Sequence, residues 1–294
     1  MQLRVSVFSS IATLLALSVL ICVHASNPMP ATREEWEEST TTTYEITPAT
    51  KTKKTSSTTK TKKNKKEKVK KEKKQKAKKG VPAAVDTRQL MADMYQHINA
   101  FGIPEHETKL IEERGGAPTY GEIKPESLAT IFNDIGVTNK DVFYDLGSGS
   151  GKTVIQAYLE FPFKKVVGVE LSEKRYNYAL EVLQVLRQRD LVDPARPIEF
   201  ILGDFAEVPF DGATVIYMCS TCYSNELMEK LAEKFSHLKK GLHVVSLKQI
   251  PNHASYGLEL VKEYRLPMTW SGPEGSPVSI YKLTKPKKAK KKRA

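Results

Sequence analysis

Cysteine is scarce in this 294-residue chain: there are three, and one of them, Cys22, falls within an N-terminal apolar run. The other two, Cys219 and Cys222, form a single Cys-x-x-Cys, with no second pair and no His pair at ligand spacing, so no zinc or other metal is expected. They would be thiols in a reducing compartment and could pair in an oxidising one. As a redox motif the tetrad lacks supporting lysine or proline context. Long apolar stretches are missing after residue 25, so nothing later in the chain is expected to span a membrane. Internal repeats are absent from the part expected to fold. Between residues 39 and 80 large apolar side chains almost vanish, which excludes a buried core there.

What is present divides the chain unevenly. Residues 1–25 open with Arg4, run apolar from Val5 to Val23 and reach Val23-His24-Ala25, a spacing that a signal peptidase reads. They read as a secretory signal peptide, with an uncleaved anchor as the alternative. Residues 26–80 read as a disordered Thr/Lys-rich linker, 81–140 as a helical lead-in, 141–284 as the core domain and 285–294 as a basic tail. Charge is polarised: residues 51–80 carry +14 and 285–294 carry +7, while 81–284 carry −6 of a whole-chain +12. The lysine runs predict binding to nucleic acid or another polyanion by counterion release, without sequence readout. A nuclear-import address and simple solubility are the alternatives. The lysine runs point to the nucleus, the N-terminus to the secretory pathway.

From residue 81 onward apolar strands alternate with amphipathic helices, which predicts a mostly parallel sheet covered on both faces. Helical spacing marks Thr87–Ala100, Glu105–Arg114 and, from Pro125, ESLATIFNDI. Strands are predicted at 142–146, 165–171, 198–204, 213–220 and 242–247, with helices near 151–160, 173–190 and 224–239. The segments 263–270 and 277–283 are separated by too short a gap for a helix and predict an antiparallel hairpin. Four strand-to-helix turns carry polar residues, Asp145, Glu170, Asp204 and Ser220. In an open α/β sheet such turns share the ligand-binding carboxyl edge.

The first of these turns lies in FYDLGSGSGKTVIQ, residues 143–156. A triphosphate loop needs glycine five residues before Gly151, where Leu146 stands. A dinucleotide loop fits better, with Gly147 and Gly149 after a strand and Glu170 about twenty residues on. Its third glycine comes one position early, at Gly151. Asp145 opposes both, because a carboxylate beside the turn repels phosphate. It attracts S-adenosylmethionine, which carries an ammonium and a sulfonium. Glu170 can accept the ribose hydroxyls and Asp204 the adenine amine, with Phe205 packing on the ring.

The motifs YGE (120–122), DLGSGSG (145–151), GVE (168–170), GDF (203–205), VIYM (215–218), HVVSLK (243–248) and TWSG…PVSIY (269–281) stand in this order. Over roughly residues 86–284 the chain resembles the non-SET histone lysine methyltransferases of the disruptor-of-telomeric-silencing type. The resemblance implies a seven-stranded, Rossmann-like class I methyltransferase sheet with a C-terminal hairpin. It assigns Tyr120, Gly121 and Glu122 to a loop over the methionine end of the cofactor, Phe143 through Lys152 to the glycine cradle, Glu170 to ribose, and Asp204 with Phe205 to adenine. Trp270 and Tyr281 match aromatics of a narrow lysine channel, with core packing as the alternative for both. Where the best-known members carry paired asparagines, this chain has Cys219 and Ser220, and Ser220 becomes the candidate catalytic hydroxyl. The implied reaction is in-line methyl transfer to a neutral lysine amine, on a nucleosome and by a monomer. The alternatives are another protein or small-molecule acceptor, or a non-catalytic polyanion-binding module.

Overall fold

The computed structural model describes residues 86–286. The expected signal peptide or anchor, the linker and most of the basic tail lie outside them. Three helices lead in: α1 (Thr87–Tyr95), α2 (Glu105–Glu113) and α3 (Pro125–Ile135). Asp86 caps α1 by accepting from two backbone N–H groups, and α3 starts with proline and ends at Gly136 in the left-handed region.

A βα alternation follows: β1 (Val142–Leu146), α4 (Lys152–Glu160), β2 (Lys165–Glu170), α5 (Glu173–Gln188), β3 (Ile198–Leu202), β4 (Val215–Met218), α6 (Asn225–Ser236) and β5 (His243–Ser246). A short 3-10 turn (His253–Tyr256) leads into β6 (Leu258–Leu266) and β7 (Ser276–Leu283). The seven strands form one sheet in the order β3-β2-β1-β4-β5-β7-β6. The first five are parallel, and β7 runs antiparallel to both β5 and β6. The expected class I sheet and terminal hairpin are therefore present.

Both faces are covered, so β1 and β4 are buried along their whole length. On one face α3, α4 and α5 pack around Phe132, Phe143 and Phe163, whose rings meet 5.0 to 5.3 Å apart. On the other, Leu227, Met228, Leu231 and Phe235 of α6 press on Tyr144, Ile216 and Val244. Ser172 and Ser224 cap α5 and α6 by accepting from Arg175 N and Leu227 N.

The hairpin differs from expectation in where its first strand lies, at 258–266 instead of 263–270. Pro267 has no N–H to continue the ladder, and residues 267–270 turn away to form a bridge between Met268 and Ile123. The outer strand β6 exposes Glu259, Lys262, Glu263 and Arg265, charges that disfavour pairing with a further strand.

Candidate functional site

The carboxyl edge of the parallel strands opens into a cleft. Its wall on the lead-in side is the segment from Ile111 to Ile123, and its floor is the turn after β1. Gly147 there has φ +83° and no room for a side chain, since an added Cβ would stand 2.7 Å from the Tyr223 hydroxyl. That hydroxyl donates to Leu146 O at 3.0 Å, and the Tyr223 ring stacks on Phe205 with centroids 5.5 Å apart. The glycine turn is thereby roofed at one end by two aromatic rings.

Three carboxylates stand at successive strand ends. Asp145 is 2% exposed and pairs in register with Gly168 of β2 and Tyr217 of β4. Burial first, and then the neighbouring Glu170 charge, push its pKa up to about 8, against a hydrogen bond from Thr153 that lowers it. Glu170 accepts from Gly149 N at 2.7 Å and from Ser172 N at 2.8 Å. Burial raises its pKa, while those N–H groups and the Arg175 charge pull it back. Asp204 accepts from Ala206 N at 2.7 Å and lies 3.4 Å from Arg114.

The YGE loop closes the opposite side. Glu122 accepts from the Tyr120 hydroxyl at 2.7 Å and forms an ion pair with Lys152 at 2.8 Å. Tyr120 also meets Ser150 Oγ at 2.9 Å, and the Arg175 guanidinium lies over its ring at 5.0 Å. Burial and the Glu122 charge hold the Tyr120 hydroxyl protonated, far above its ordinary range. Arg175 itself is 5% exposed and donates to Ala100 O and Pro118 O. It fastens the lead-in to the helix that begins just after the Glu170 turn.

Ten of the twelve residues assigned to cofactor binding line this cleft: Tyr120, Gly121 and Glu122; Asp145, Gly147, Gly149 and Lys152; Glu170, Asp204 and Phe205. Two do not. Phe143 is fully buried among Phe132 and Phe163. Gly151 begins α4 and faces Phe200 and Ala179.

The three catalytic candidates are also placed elsewhere. Ser220 is fully buried, bonded to Ser246 Oγ at 2.7 Å and accepting from Lys248 N at 3.0 Å, so its hydroxyl ties β4 to β5. Its neighbour Cys219 lines the cleft instead, as a thiol whose pKa burial pushes up to about 12. Tyr281 packs in the α6-side core, where its oxygen accepts from Ile250 N at 3.2 Å. Trp270 packs against the other core and covers Gly121, where an added Cβ would lie 2.4 Å from its ring. The two aromatics thus stand on opposite faces of the sheet and form no common channel. Residues missed from sequence are Tyr217, Tyr223, Arg175 and Arg114, all in the cleft wall. Of these, Tyr217 lay within the VIYM motif without a role assigned to it, Tyr223 follows the Cys-x-x-Cys at a strand-to-helix turn, and the two arginines gave no signal.

The cofactor implied by the resemblance fits these residues. The glycine floor leaves a cradle that a Cβ would fill, and the buried acids offer negative charge to a cationic ligand. A phosphate-bearing ligand would meet three carboxylates.

The family model described as "Histone methylation protein DOT1" matches residues 103–257. The chain is 30% identical over 167 residues to the H3 lysine-79 specific histone-lysine N-methyltransferase of Caenorhabditis elegans, covering 54% of this chain and 16% of that one. It is 36% identical over 123 residues to a protein-lysine N-methyltransferase of Saccharolobus islandicus, covering 42% of this chain and 71% of the relative. A solved RNA methyltransferase from Salinibacter ruber in complex with S-adenosyl-L-homocysteine aligns with a TM-score of 0.40 and 23% identity, covering 54% of this chain and 91% of that one. The chain spans about a sixth of the length of the nematode relative. The matched segment runs from the lead-in through β5 and takes in every residue that lines the cleft. The chain therefore belongs to the DOT1 family of histone methylation proteins.

Proposed function

We propose that this protein is an S-adenosylmethionine-dependent protein lysine N-methyltransferase acting on a histone lysine. The observation that carries the reading is the row of acids at the ends of β1, β2 and β3 around one glycine floor. When bound, the cofactor supplies a methyl group made electrophilic by its sulfonium. Asp145 holds the ammonium of the methionyl end, and Lys152, now paired with Glu122, offers its own ammonium to the carboxylate. Glu170 accepts from ribose hydroxyls, and Asp204 with the Phe205 ring holds adenine. Cys219 and Tyr217 line the side of the cleft beyond Asp145, away from Asp204 and Phe205, and would face an approaching acceptor.

A lysine must arrive there as the neutral amine. A buried site that already holds a cation favours loss of the lysine proton, because burial and like charge both disfavour the ammonium. The chain then contributes alignment and exclusion of water, with no covalent nucleophile. The lysine runs at 51–80 and 285–294 bring the domain to nucleosomal DNA, and the enzyme acts as a monomer in the nucleus.

The test is tritiated-methyl transfer to nucleosomes and to free histones by the full chain, Asp145→Ala and Glu170→Ala. The wild type labels a histone and both variants lose the activity. Full activity in both variants ends the assignment. Loss of nucleosome labelling on deletion of 51–80, with cofactor binding retained, assigns the tract to substrate engagement. A chain without calorimetric response to S-adenosylmethionine is a polyanion-binding module instead.

A further inference from the structure

Among the described residues, two buried side-chain polar atoms lack a hydrogen-bond partner, Ser148 Oγ and Tyr217 Oη. Both residues line the cleft. A hydroxyl buried without a partner costs free energy, and finding both at one site points to a ligand that completes them. Tyr217 is the more informative of the two. It is 1% exposed, it stands beside Asp145 in the β1–β4 register, and the one group its O–H reaches is the Cys219 sulfur, a weak acceptor that leaves the phenol oxygen's own lone pairs unused.

Strand order says which part of the ligand assembly reaches it. Along the carboxyl edge the sequence of ends is Asp204 after β3, Glu170 on β2, Asp145 on β1 and then Tyr217 on β4. The first three are the positions for adenine, ribose and methionyl groups. Tyr217 lies one strand further on, where the acceptor must approach. We propose, on the methyltransferase reading above, that the Tyr217 hydroxyl is a catalytic residue that accepts a hydrogen bond from the incoming lysine amine and turns its lone pair toward the methyl group.

The chemistry requires no proton transfer to tyrosine. The amine lone pair forms the N–C bond, the C–S bond breaks with its electron pair going to sulfur, and the methylated ammonium loses its proton to water afterwards. The phenol stays neutral throughout, since burial first, and then the proximity of Cys219 and Asp145, hold its proton well above the ordinary range. A second N–H of the amine is left free for Cys219 or for water. The phenol thereby supplies an oxygen beside the turn where the family's better-known members carry asparagine and this chain carries a thiol and a hydroxyl that faces β5.

The experiment compares wild type with Tyr217→Phe, which removes one oxygen and keeps the ring. Three quantities are measured on the full chain: melting temperature without ligand, the calorimetric Kd for S-adenosylmethionine, and kcat and KM for tritiated-methyl transfer to nucleosomes. The variant melts about 2–4 °C higher, because an unpaired buried hydroxyl has gone. It binds cofactor within about twofold of wild type, and kcat falls about 10- to 100-fold, the worth of a hydrogen bond to a group that becomes charged. A structural hydroxyl would instead lower the melting temperature and leave kcat alone, and either change overturns the proposal. A weakened cofactor Kd with unchanged kcat assigns the oxygen to the cofactor and also overturns it. These results leave the methyltransferase reading standing if wild type binds and transfers; a wild type that does neither removes both.

Discussion

Replacing Asp145 with asparagine tests whether the charge of the cleft, and not only its shape, selects the cofactor. In the free protein Asp145 titrates at about 8, with burial as the first cause and Glu170 as the second. Below that pH it is protonated. A ligand that brings an ammonium and a sulfonium binds the ionised form, so binding below pH 8 expels a proton. Affinity therefore strengthens as pH rises toward 8, with a limiting slope of about tenfold per pH unit. The usable window ends near pH 7.5, since an α-amino group begins to titrate at about 7.7–8.0. Between pH 6.0 and 7.5 a group with pKa 8 changes from about 1% to about 24% ionised, so Kd falls about 25-fold if the bound carboxyl titrates below 6. Calorimetry at pH 6.5 in phosphate and in Tris, whose ionisation enthalpies differ, counts the proton directly and gives close to one released. The asparagine variant loses both the slope and the proton. A wild-type Kd flat from pH 6.0 to 7.5, or a slope that persists in Asp145→Asn, refutes the reasoning.

Two further substitutions address the walls of the cleft. Gly121→Ala drives a methyl group into the Trp270 ring, 2.4 Å from its nearest carbon; the YGE loop is displaced, and the KM for S-adenosylmethionine rises about tenfold or more with a smaller loss of melting temperature, read by initial rates and thermal unfolding. Tyr281→Phe leaves Ile250 N without its acceptor in a buried setting, costs about 1–3 kcal/mol in denaturant unfolding, and leaves kcat and both KM values within twofold; a selective loss of kcat would return Tyr281 to the active site.

The contrast between Asp145 and Tyr217 explains what the sequence could and could not convey. A carboxylate at the end of an apolar run is conspicuous, and the βα alternation places each such run on the same edge, so Asp145, Glu170 and Asp204 could be gathered into one cleft without coordinates. Tyr217 sits inside VIYM, four residues buried in a row, where a tyrosine looks like any other large core side chain. Only coordinates show that its oxygen accepts no hydrogen bond and that its proton meets nothing stronger than the Cys219 sulfur. β7 posed the same difficulty in another form: Val278 through Tyr281 are all buried, so alternation gives no indication of which face receives Tyr281. The placement of Tyr281 in the α6-side core, apart from Trp270, could not be read from the sequence for that reason. Arg175 had no signal at all, because a basic residue in the first turn of a helix reads as solvated until Ala100, Pro118 and Tyr120 fold around it.

Glu122 and Thr269 exchange two hydrogen bonds at a separation of 147 residues, Thr269 N to Glu122 O and Glu122 N to Thr269 Oγ1, beside the Ile123–Met268 bridge. One wall of the cleft is therefore latched by a segment that leaves the ribosome long after all the acids have been made. A nascent chain that has emerged only through β5 carries every carboxylate but has no latch on the YGE loop. The YGE side of the cleft thus takes its final position from a hairpin that contributes no residue to the cleft lining.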